Sequence, residues 1–485
     1  MKSMTLRLLI ALLLSLGTSL GSSAALARHI DAEKITNPLL GHAYYKHQQG
    51  QQFQAMAMLM AADKQNRLGN DKQLGQLFLA HNFTELGLHQ EAIKIYEQLA
   101  KHDNNKQEIK DIAWLESAKL HLQQGRFEIT LTSLANIKQS LDKEQEADFK
   151  AAKSRALLET GRLKEALTTL PRISDDSTWA LYQSFNIGER LIDEHRNKNG
   201  AMILHHIGKL DSNEDNEIEA IKDQANLALG FSLLKIKQAQ KARKYLEQVR
   251  LKSHLSNIAL LGMGWSYSIE ANHEQALVFW MELKNRRNSS AYGYETFLAV
   301  PYALGQAGAH QQAIEHYKAA QNQINADTEA MNEAKKKINS DVFAQLISSN
   351  PDQETDWLAT WKNSAESAEK RLLPLLLDNP EFQSTLLEYR TLLQLKQHIQ
   401  SLGDGVTQLK TSQQTTPDIA GLLVRQQQLL EQTQTAINKQ FTNLKRQALN
   451  TLDRYKAQFN TYSEQISFGI AQAIEGGTFN AEEGL

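Results

Sequence analysis

Cysteine is absent from the 485 residues of this chain. Its absence excludes disulfide bonds, thiolate metal sites, cysteine nucleophiles and a lipid-modified amino-terminal cysteine. Proline is scarce, with 7 residues, and alanine, leucine, glutamine, glutamate and lysine are abundant. Because these residues favour helices and proline interrupts them, we expect a mostly helical protein.

An excess of charge of one sign is missing as well. The 53 Lys and Arg residues nearly balance the 55 Asp and Glu residues, which leaves a formal net charge of −2. A nucleic-acid-binding protein is expected to carry a concentrated basic face. The sequence therefore predicts no nucleic-acid partner.

Long hydrophobic runs are missing too. The apolar run at residues 8–16 is shorter than the about 20 residues that cross a membrane. Basic residues precede it and the small residues of 25–27 follow it, a pattern typical of a secretory signal. We predict a signal peptide over 1–27, cleaved after Ala27, with an uncleaved interfacial anchor as the alternative. We therefore expect no integral membrane span and a periplasmic protein; a secreted or membrane-associated protein is the alternative.

A small residue recurs along the chain at a regular interval. Gly87, Ala92 and Tyr96 lie five and then four residues apart, and other segments repeat this spacing. The small residues of the successive units, 34 to 41 positions apart, are Ala55, Ala92, Thr130, Ala166, Ala201 (in a weak unit), Ala242, Ala276 and Ala313. Such self-similarity indicates a repeat architecture.

The residue types in this pattern have a physical reason. Glycine leaves a helix with a positive φ at little steric cost. The small residue lets a second helix approach the first, and the bulky residue one turn later fills the shared core. One pair of helices cannot bury its apolar face alone, so neighbouring pairs must stack. The predicted core positions are Gly87, Ala92, Tyr96, Gly161, Ala166, Gly264, Tyr267, Ala276, Trp280, Gly308, Ala313 and Tyr317.

The pattern resembles the tetratricopeptide (TPR) repeat, a helix–turn–helix unit of about 34 residues. Ala242 and Ala276 are 34 residues apart, whereas Lys237 and Ala271 depart from the pattern by replacing the glycine. The resemblance implies an all-α, TPR-like solenoid of about eight helical pairs over residues 28–345. It also implies a concave wall along which segments of partner proteins bind.

The resemblance further implies which residues face inward. The position after the small residue of each first helix, here called the slot, is occupied by His81, Lys119, Arg155, Phe231, Trp265 and Tyr302. The first three are polar or basic and the last three are aromatic, which suits a peptide with apolar anchors and an acidic flank. The alternative is that the aromatic residues pack against neighbouring repeats.

Motifs for chemistry are weak. The segment HEQAL at 273–277 lacks the second histidine of a zinc helix, and 211–222 lacks the central glycine and final glutamate of a calcium loop. We therefore predict no catalytic residue, no cofactor and no metal, and a protein that is not an enzyme. An enzyme whose site is built from dispersed residues is the alternative.

The last third of the chain has a different pattern. We interpret 346–380 as a linker with short helices, 381–470 as a long-helix module and 471–485 as a flexible tail. Apolar residues in the last helix recur at about 3.6 positions, so they form one stripe that must be covered. We predict a hairpin or coiled-coil-like module, with self-association through 381–470 as an alternative.

These features predict a function. We expect a non-enzymatic periplasmic scaffold or adaptor whose partners are other proteins of the cell envelope. The alternative is an accessory subunit of a cell-envelope assembly, secretion or energised transport complex.

Overall fold

The computed structural model describes residues 35–138, 141–174, 177–193, 197–211, 215–286, 291–338, 343, 347, 375–377, 379–411 and 418–482. These residues form helices and no strand, which confirms the all-α prediction. Up to Ile338 the structure describes sixteen α-helices, which alternate along the chain as the first and second helices of the repeat, and one 3₁₀ helix, Gly69–Asp71. The first helices of the pairs are α1 (Pro38–Gln48), α3 (Lys72–Glu85), α5 (Gln107–Gln123), α7 (Lys143–Glu159), α9 (Thr178–Asp193), α11 (Asn216–Lys235), α13 (Ser256–Ile269) and α15 (Ala291–Gln306). The second helices are α2 (Gln52–Lys64), α4 (His89–Lys101), α6 (Phe127–Ala135), α8 (Leu163–Thr169), α10 (Asn197–Gly208), α12 (Ala239–Leu246), α14 (His273–Asn285) and α16 (His310–Ile338).

The chain divides into two compact units. The N-terminal unit contains the described residues up to Leu233 together with Gln248–Leu255. The C-terminal unit contains Leu234–Glu247 and the described residues from Ser256 onward. The border therefore falls inside the segment 28–345 that the sequence assigns to one solenoid.

A recurrent turn ends the first helix of a pair. After α3, Gly87 has a φ of 74° and its N–H donates to the Thr84 carbonyl at 3.0 Å. The N–H of Leu88 donates to the Phe83 carbonyl at 2.8 Å. These two bonds form the Schellman motif, which satisfies the last carbonyls of the helix. The glycines with positive φ that follow other first helices are Gly50, Gly125, Gly161 and Gly308.

The turn persists where the glycine is replaced. Lys237 has a φ of 60° and Ala271 a φ of 59°. Beside Ala271, the N–H of Asn272 donates to the Tyr267 carbonyl at 3.0 Å, as in the glycine-containing turns. A left-handed conformation costs a residue with a Cβ about 1–2 kcal/mol. The turn thus forms without glycine at these two positions, and glycine makes it less costly.

The predicted core positions fall into three groups. Ala92, Tyr96, Ala166, Gly264, Ala276, Trp280, Ala313 and Tyr317 are buried. Tyr267 is half-buried. Gly87, Gly161 and Gly308 are exposed at the turns, where their positive φ accounts for the residue type.

The C-terminal unit ends in a helical hairpin. It consists of α17 (Pro380–Thr411) and α18 (Asp418–Glu482). Lys396 Nζ donates to Gln434 Oε1 at 2.8 Å, and Gln447 Nε2 donates to Thr385 Oγ1 at 3.0 Å. Because the earlier residue of α17 meets the later residue of α18, the two helices are antiparallel.

A second helix covers the rest of the long stripe. Gln321 Nε2 on α16 donates to Ser463 Oγ at 2.9 Å, and Lys456 Nζ on α18 donates to Asn332 Oδ1 at 3.1 Å. The shared core of α15–α18 includes Tyr294, Tyr317, Met331, Phe382, Leu444, Leu452, Phe459 and Ile466. The apolar stripe of α18 is thus covered by α17 at one end and by α16 at the other.

Some predicted boundaries fall elsewhere on the chain. The predicted signal peptide, 1–27, and most of the predicted linker, 346–380, lie outside the described residues. Helix α18 continues past residue 470 to Glu482, into the segment predicted to be a flexible tail. Among the described helices, none combines the length and the hydropathy that crossing a bilayer requires.

Candidate functional site

The slot residues share one position on their helices but differ in burial. They lie on the first helices α3, α5, α7, α11, α13 and α15. His81, Lys119 and Phe231 are buried, whereas Arg155, Trp265 and Tyr302 are partly exposed. Neighbouring helices cover the three buried side chains, so these offer little surface to a partner in this conformation. The protein-binding role of the whole set stays a prediction.

Lys119 is held inside the N-terminal unit by acidic groups. Its Nζ donates to Asp148 Oδ2 at 2.7 Å and to Glu116 Oε1 at 3.1 Å. Ser177 Oγ donates to the other oxygen of Asp148. The ammonium group also lies 4.9 Å from the centroid of the Trp179 ring. These contacts explain how a lysine remains buried, because an unpaired charge there would be very costly.

The acidic groups determine the charge state of Lys119. Burial alone would lower the pKa of Lys119, but Asp148 and Glu116 outweigh it and raise that pKa. The side chain is therefore charged at neutral pH. Burial also raises the pKa of Tyr96 well above its usual value, and the Glu116 carboxylate adds to the rise. Lys119 thus belongs to an internal network of charged and polar groups.

Arg155 differs from Lys119 in its access to solvent. Its side chain is 25% exposed, and its Nε donates to Glu159 Oε1, one turn along α7, at 2.8 Å. Partly exposed ion pairs of this kind contribute little to stability. Arg155 can therefore leave Glu159 and pair with an acidic group of a partner at little cost in free energy. Arg155 is the polar slot residue whose exposure suits contact with a partner.

Two aromatic slot residues lie on successive first helices of the C-terminal unit. The Trp265 ring on α13 meets the buried Trp280 ring edge-on, with centroids 5.1 Å apart. The Tyr302 ring on α15 meets His273 in the same manner, with centroids 5.9 Å apart. Among the described residues, the Trp265 indole N–H finds no hydrogen-bond acceptor. Each aromatic ring is thus fixed on one side and keeps some surface open on another.

A cation–π contact between Arg243 and Tyr267 lies in the same unit. The guanidinium carbon of Arg243 lies 4.4 Å from the centroid of the Tyr267 ring, and its Nη2 donates to Glu270 Oε2 at 2.7 Å. Tyr267 in turn stacks on Phe279 with centroids 5.6 Å apart. The sequence predicts Tyr267 as a core residue, but it does not predict that Arg243 packs over its ring.

One cluster suited to a metal ion escaped sequence reasoning. The potential ligand atoms of His47, His81 and Glu85 all lie within 4.8 Å of one another. His81 and Glu85 are four positions apart, which is a sequence signal for one helix face. His47 lies 34 positions earlier, so only the packing of adjacent pairs brings it to the other two.

Comparison with known proteins adds little. No protein-family model matches the chain. No curated protein sequence matches it either. A solved structure described as the crystal structure of the APC/C hetero-tetramer Cut9-Hcn1 is similar, with 13% sequence identity, coverage of 88% of this chain and 89% of that chain, and a TM-score of 0.23. The all-α fold is established by the helices of this chain.

Proposed function

We propose that this protein is a non-enzymatic scaffold that binds other proteins through the partly exposed slot residues of its helical repeats. Trp265 and Tyr302 carry the proposal, because they occupy equivalent positions on α13 and α15 and both keep exposed surface. Aromatic side chains that become buried when a partner binds contribute much of the binding energy of protein interfaces. The aromatic slot of the C-terminal unit is therefore the main proposed contact.

The repeated pairs support this role. Each pair presents its slot once, and Trp265 and Tyr302 are 37 positions apart in successive pairs. Stacked repeats with equivalent positions form extended surfaces that bind a peptide segment at regular intervals. Two neighbouring aromatic contacts suit a segment with two apolar anchors.

The N-terminal unit contributes a separate contact in this proposal. Arg155 is the polar slot residue with appreciable exposure there. Its guanidinium group suits an acidic side chain, which it can bind in a bidentate manner. His81, Lys119 and Phe231 support the surrounding helices rather than the partner.

The proposed location and class of partner rest on the signal peptide predicted from the sequence. The signal peptide predicted in 1–27 supports export to the periplasm, where the partners would be proteins of the cell envelope. The more specific form of the proposal is an accessory subunit of an assembly, secretion or energised transport complex.

Affinity capture from periplasmic extract tests the proposal. The bait is the exported chain, compared with a variant that carries Trp265→Ala and Tyr302→Ala. The matched control carries Ile269→Ala and Val278→Ala, which remove apolar side chains that are 41% and 58% exposed in the same unit. Thermal melting followed by circular dichroism verifies that all three proteins are folded.

The proposal predicts a partner that the parent and the control retain and the aromatic variant loses. Equal capture by all three proteins would contradict the aromatic slot as the binding surface. A parent that captures no protein would contradict the scaffold itself.

A further inference from the structure

A cluster of two histidines and one glutamate lies in the N-terminal unit, between α1 and α3. His47 is in the last turn of α1, and His81 and Glu85 are on consecutive turns of α3. Nδ1 of His47 lies 3.5 Å from Glu85 Oε2, and Nε2 of His81 lies 3.3 Å from Glu85 Oε1. The carboxylate therefore lies between the two imidazole rings and directs one oxygen at each.

The cluster is buried and incompletely satisfied. The side chains of His47, His81 and Glu85 are 7%, 1% and 3% exposed. Within the described chain, neither ring nitrogen of His81 has a hydrogen-bond partner, and neither does Glu85 Oε2. Buried polar atoms normally have partners, because leaving them without one is costly. His81 Nε2 and Glu85 Oε2, buried in one cluster without hydrogen-bond partners among the described residues, suit ligands of a shared cation.

We propose that His47, His81 and Glu85 bind a zinc ion. Zinc takes nitrogen and oxygen ligands at about 2.0–2.1 Å in a tetrahedral arrangement, which places neighbouring ligand atoms about 3.3–3.4 Å apart. The nitrogen-to-oxygen distances, 3.3 Å from His81 Nε2 to Glu85 Oε1 and 3.5 Å from His47 Nδ1 to Glu85 Oε2, are close to this spacing. Because they involve different oxygens, a shared ion requires the carboxylate to bind through both oxygens or to turn one of them toward both nitrogens. Two imidazole nitrogens favour zinc over calcium or magnesium, which prefer ligand sets made of oxygen.

Asn82 completes the surroundings of the site. Its side chain is fully buried, and its Oδ1 lies 3.2 Å from His47 Nδ1. Its Nδ2 donates to the Phe78 carbonyl at 2.8 Å, which keeps the amide oxygen directed toward the cluster. Zinc would bind His47 through an unprotonated Nδ1, with the ring proton on Nε2, and Asn82 Oδ1 would then be available as a fourth ligand atom.

The burial of the ligands determines the role of the ion. With exposures of 1–7%, the ligand side chains leave little room for a substrate, so the site is structural. His47 belongs to the first helix of one pair and the other ligands belong to the first helix of the next pair. A bound ion would therefore fasten two adjacent pairs, and it would stabilise the N-terminal unit because it binds only the folded chain.

Zinc binding to the chelator-treated, tag-free full chain tests this proposal. We expect one tightly bound zinc ion per chain, a higher melting temperature with zinc than without it, and visible absorption from cobalt(II) at the tetrahedral site. Glu85→Gln keeps the shape of the side chain but removes its charge, and it should weaken zinc binding at least tenfold. His81→Asn should weaken binding by more.

His121→Asn is the matched control. His121 is also buried with two ring nitrogens that lack partners among the described residues, and it lies 3.6 Å from Glu97. It belongs to no described cluster of three ligands, so its replacement should leave zinc binding unchanged. Zinc binding that is the same in Glu85→Gln and the parent would overturn the proposal. A parent chain that neither retains zinc nor gives a cobalt spectrum would overturn it regardless of how the variants fold.

Discussion

The backbone of Gly264 lies directly against the indole ring of Trp280. A Cβ atom on Gly264 would lie 2.1 Å from Trp280 Nε1, far inside van der Waals contact. Trp280 is fully buried, and its Nε1 donates to the Leu261 carbonyl at 3.2 Å. The first and second helices of this pair are thus joined by a contact that only glycine permits.

The replacement Gly264→Ala should destabilise the C-terminal unit. The methyl group would force the buried indole or its helix to move, and such overpacking costs about 1–3 kcal/mol. Urea denaturation measures the free energy of unfolding. Gly305→Ala is the control, because its Cβ would meet only Ala313 Cβ, at 4.0 Å. A Gly264→Ala variant as stable as the parent would show that the helices can accommodate a methyl group beside Trp280, against the prediction.

Glycine at the two irregular turns should stabilise the protein. Lys237 and Ala271 have φ values of 60° and 59°, and glycine adopts this conformation without a Cβ clash. We expect Lys237→Gly and Ala271→Gly each to raise the free energy of unfolding by about 1 kcal/mol. Gly308→Ala, the reverse change at an equivalent turn, should lower it by a similar amount. Loss of stability in both glycine variants would contradict the claim that the positive φ of Lys237 and Ala271 costs free energy.

Removing the buried ammonium group should be far more damaging than removing an exposed one. Lys119→Met leaves Asp148 and Glu116 buried without their cation, which should cost about 3–5 kcal/mol. Arg155→Met breaks a partly exposed pair and should cost no more than about 1 kcal/mol. Chemical denaturation at neutral pH compares the two variants. Equal losses would mean that Lys119 is not held by its acidic neighbours.

Acid should selectively weaken a contact before α1. The Asp71 carboxylate accepts hydrogen bonds from the backbone N–H groups of Thr36 and Asn37, each at 2.7 Å. Burial alone would raise the pKa of Asp71, but these bonds outweigh it and lower that pKa. A lowered pKa in the folded state means that the contribution is complete above the unfolded value of about 3.9 and is lost as the pH falls through the folded value.

Asp71→Asn measures that contribution. The variant should be less stable than the parent at pH 7, and the difference should shrink below about pH 4 as the parent carboxylate becomes protonated. Denaturation of both proteins over this range follows the difference. A difference that stays constant down to pH 3 would show that the ionised carboxylate is not the stabilising form.

The spacing of small and bulky residues was enough to predict the all-α fold and the helical pairs. The pattern located the turns at Lys237 and Ala271 even without glycine, because the small and bulky residues that follow keep their spacing. The sequence also required a cover for the stripe of α18. It did not show that α16 extends to Ile338 and covers the second half, since that contact joins residues more than a hundred positions apart.

The slot residues were harder to interpret from sequence. The repeat gives the position of Lys119 on its helix, but Asp148 lies on the next pair, and only the stacking of pairs buries the two together. His81 is similar, because its neighbour His47 comes from the preceding pair. Trp265 and Tyr302 keep exposed surface, whereas the slot residues His81, Lys119 and Phe231 are buried. The sequence pattern gives all of them the same position and cannot predict this difference in burial.

Site-specific photo-crosslinking in the producing cells tests the central claim most directly. A photoreactive residue is placed at Trp265 or Tyr302 and, as controls, at Ile269 or Val278 of the same unit. The account predicts that both slot positions form an adduct with the same protein and that the control positions do not. Adducts that are the same from all four positions, or none from either slot position, would contradict a scaffold that binds its partner through the aromatic slot.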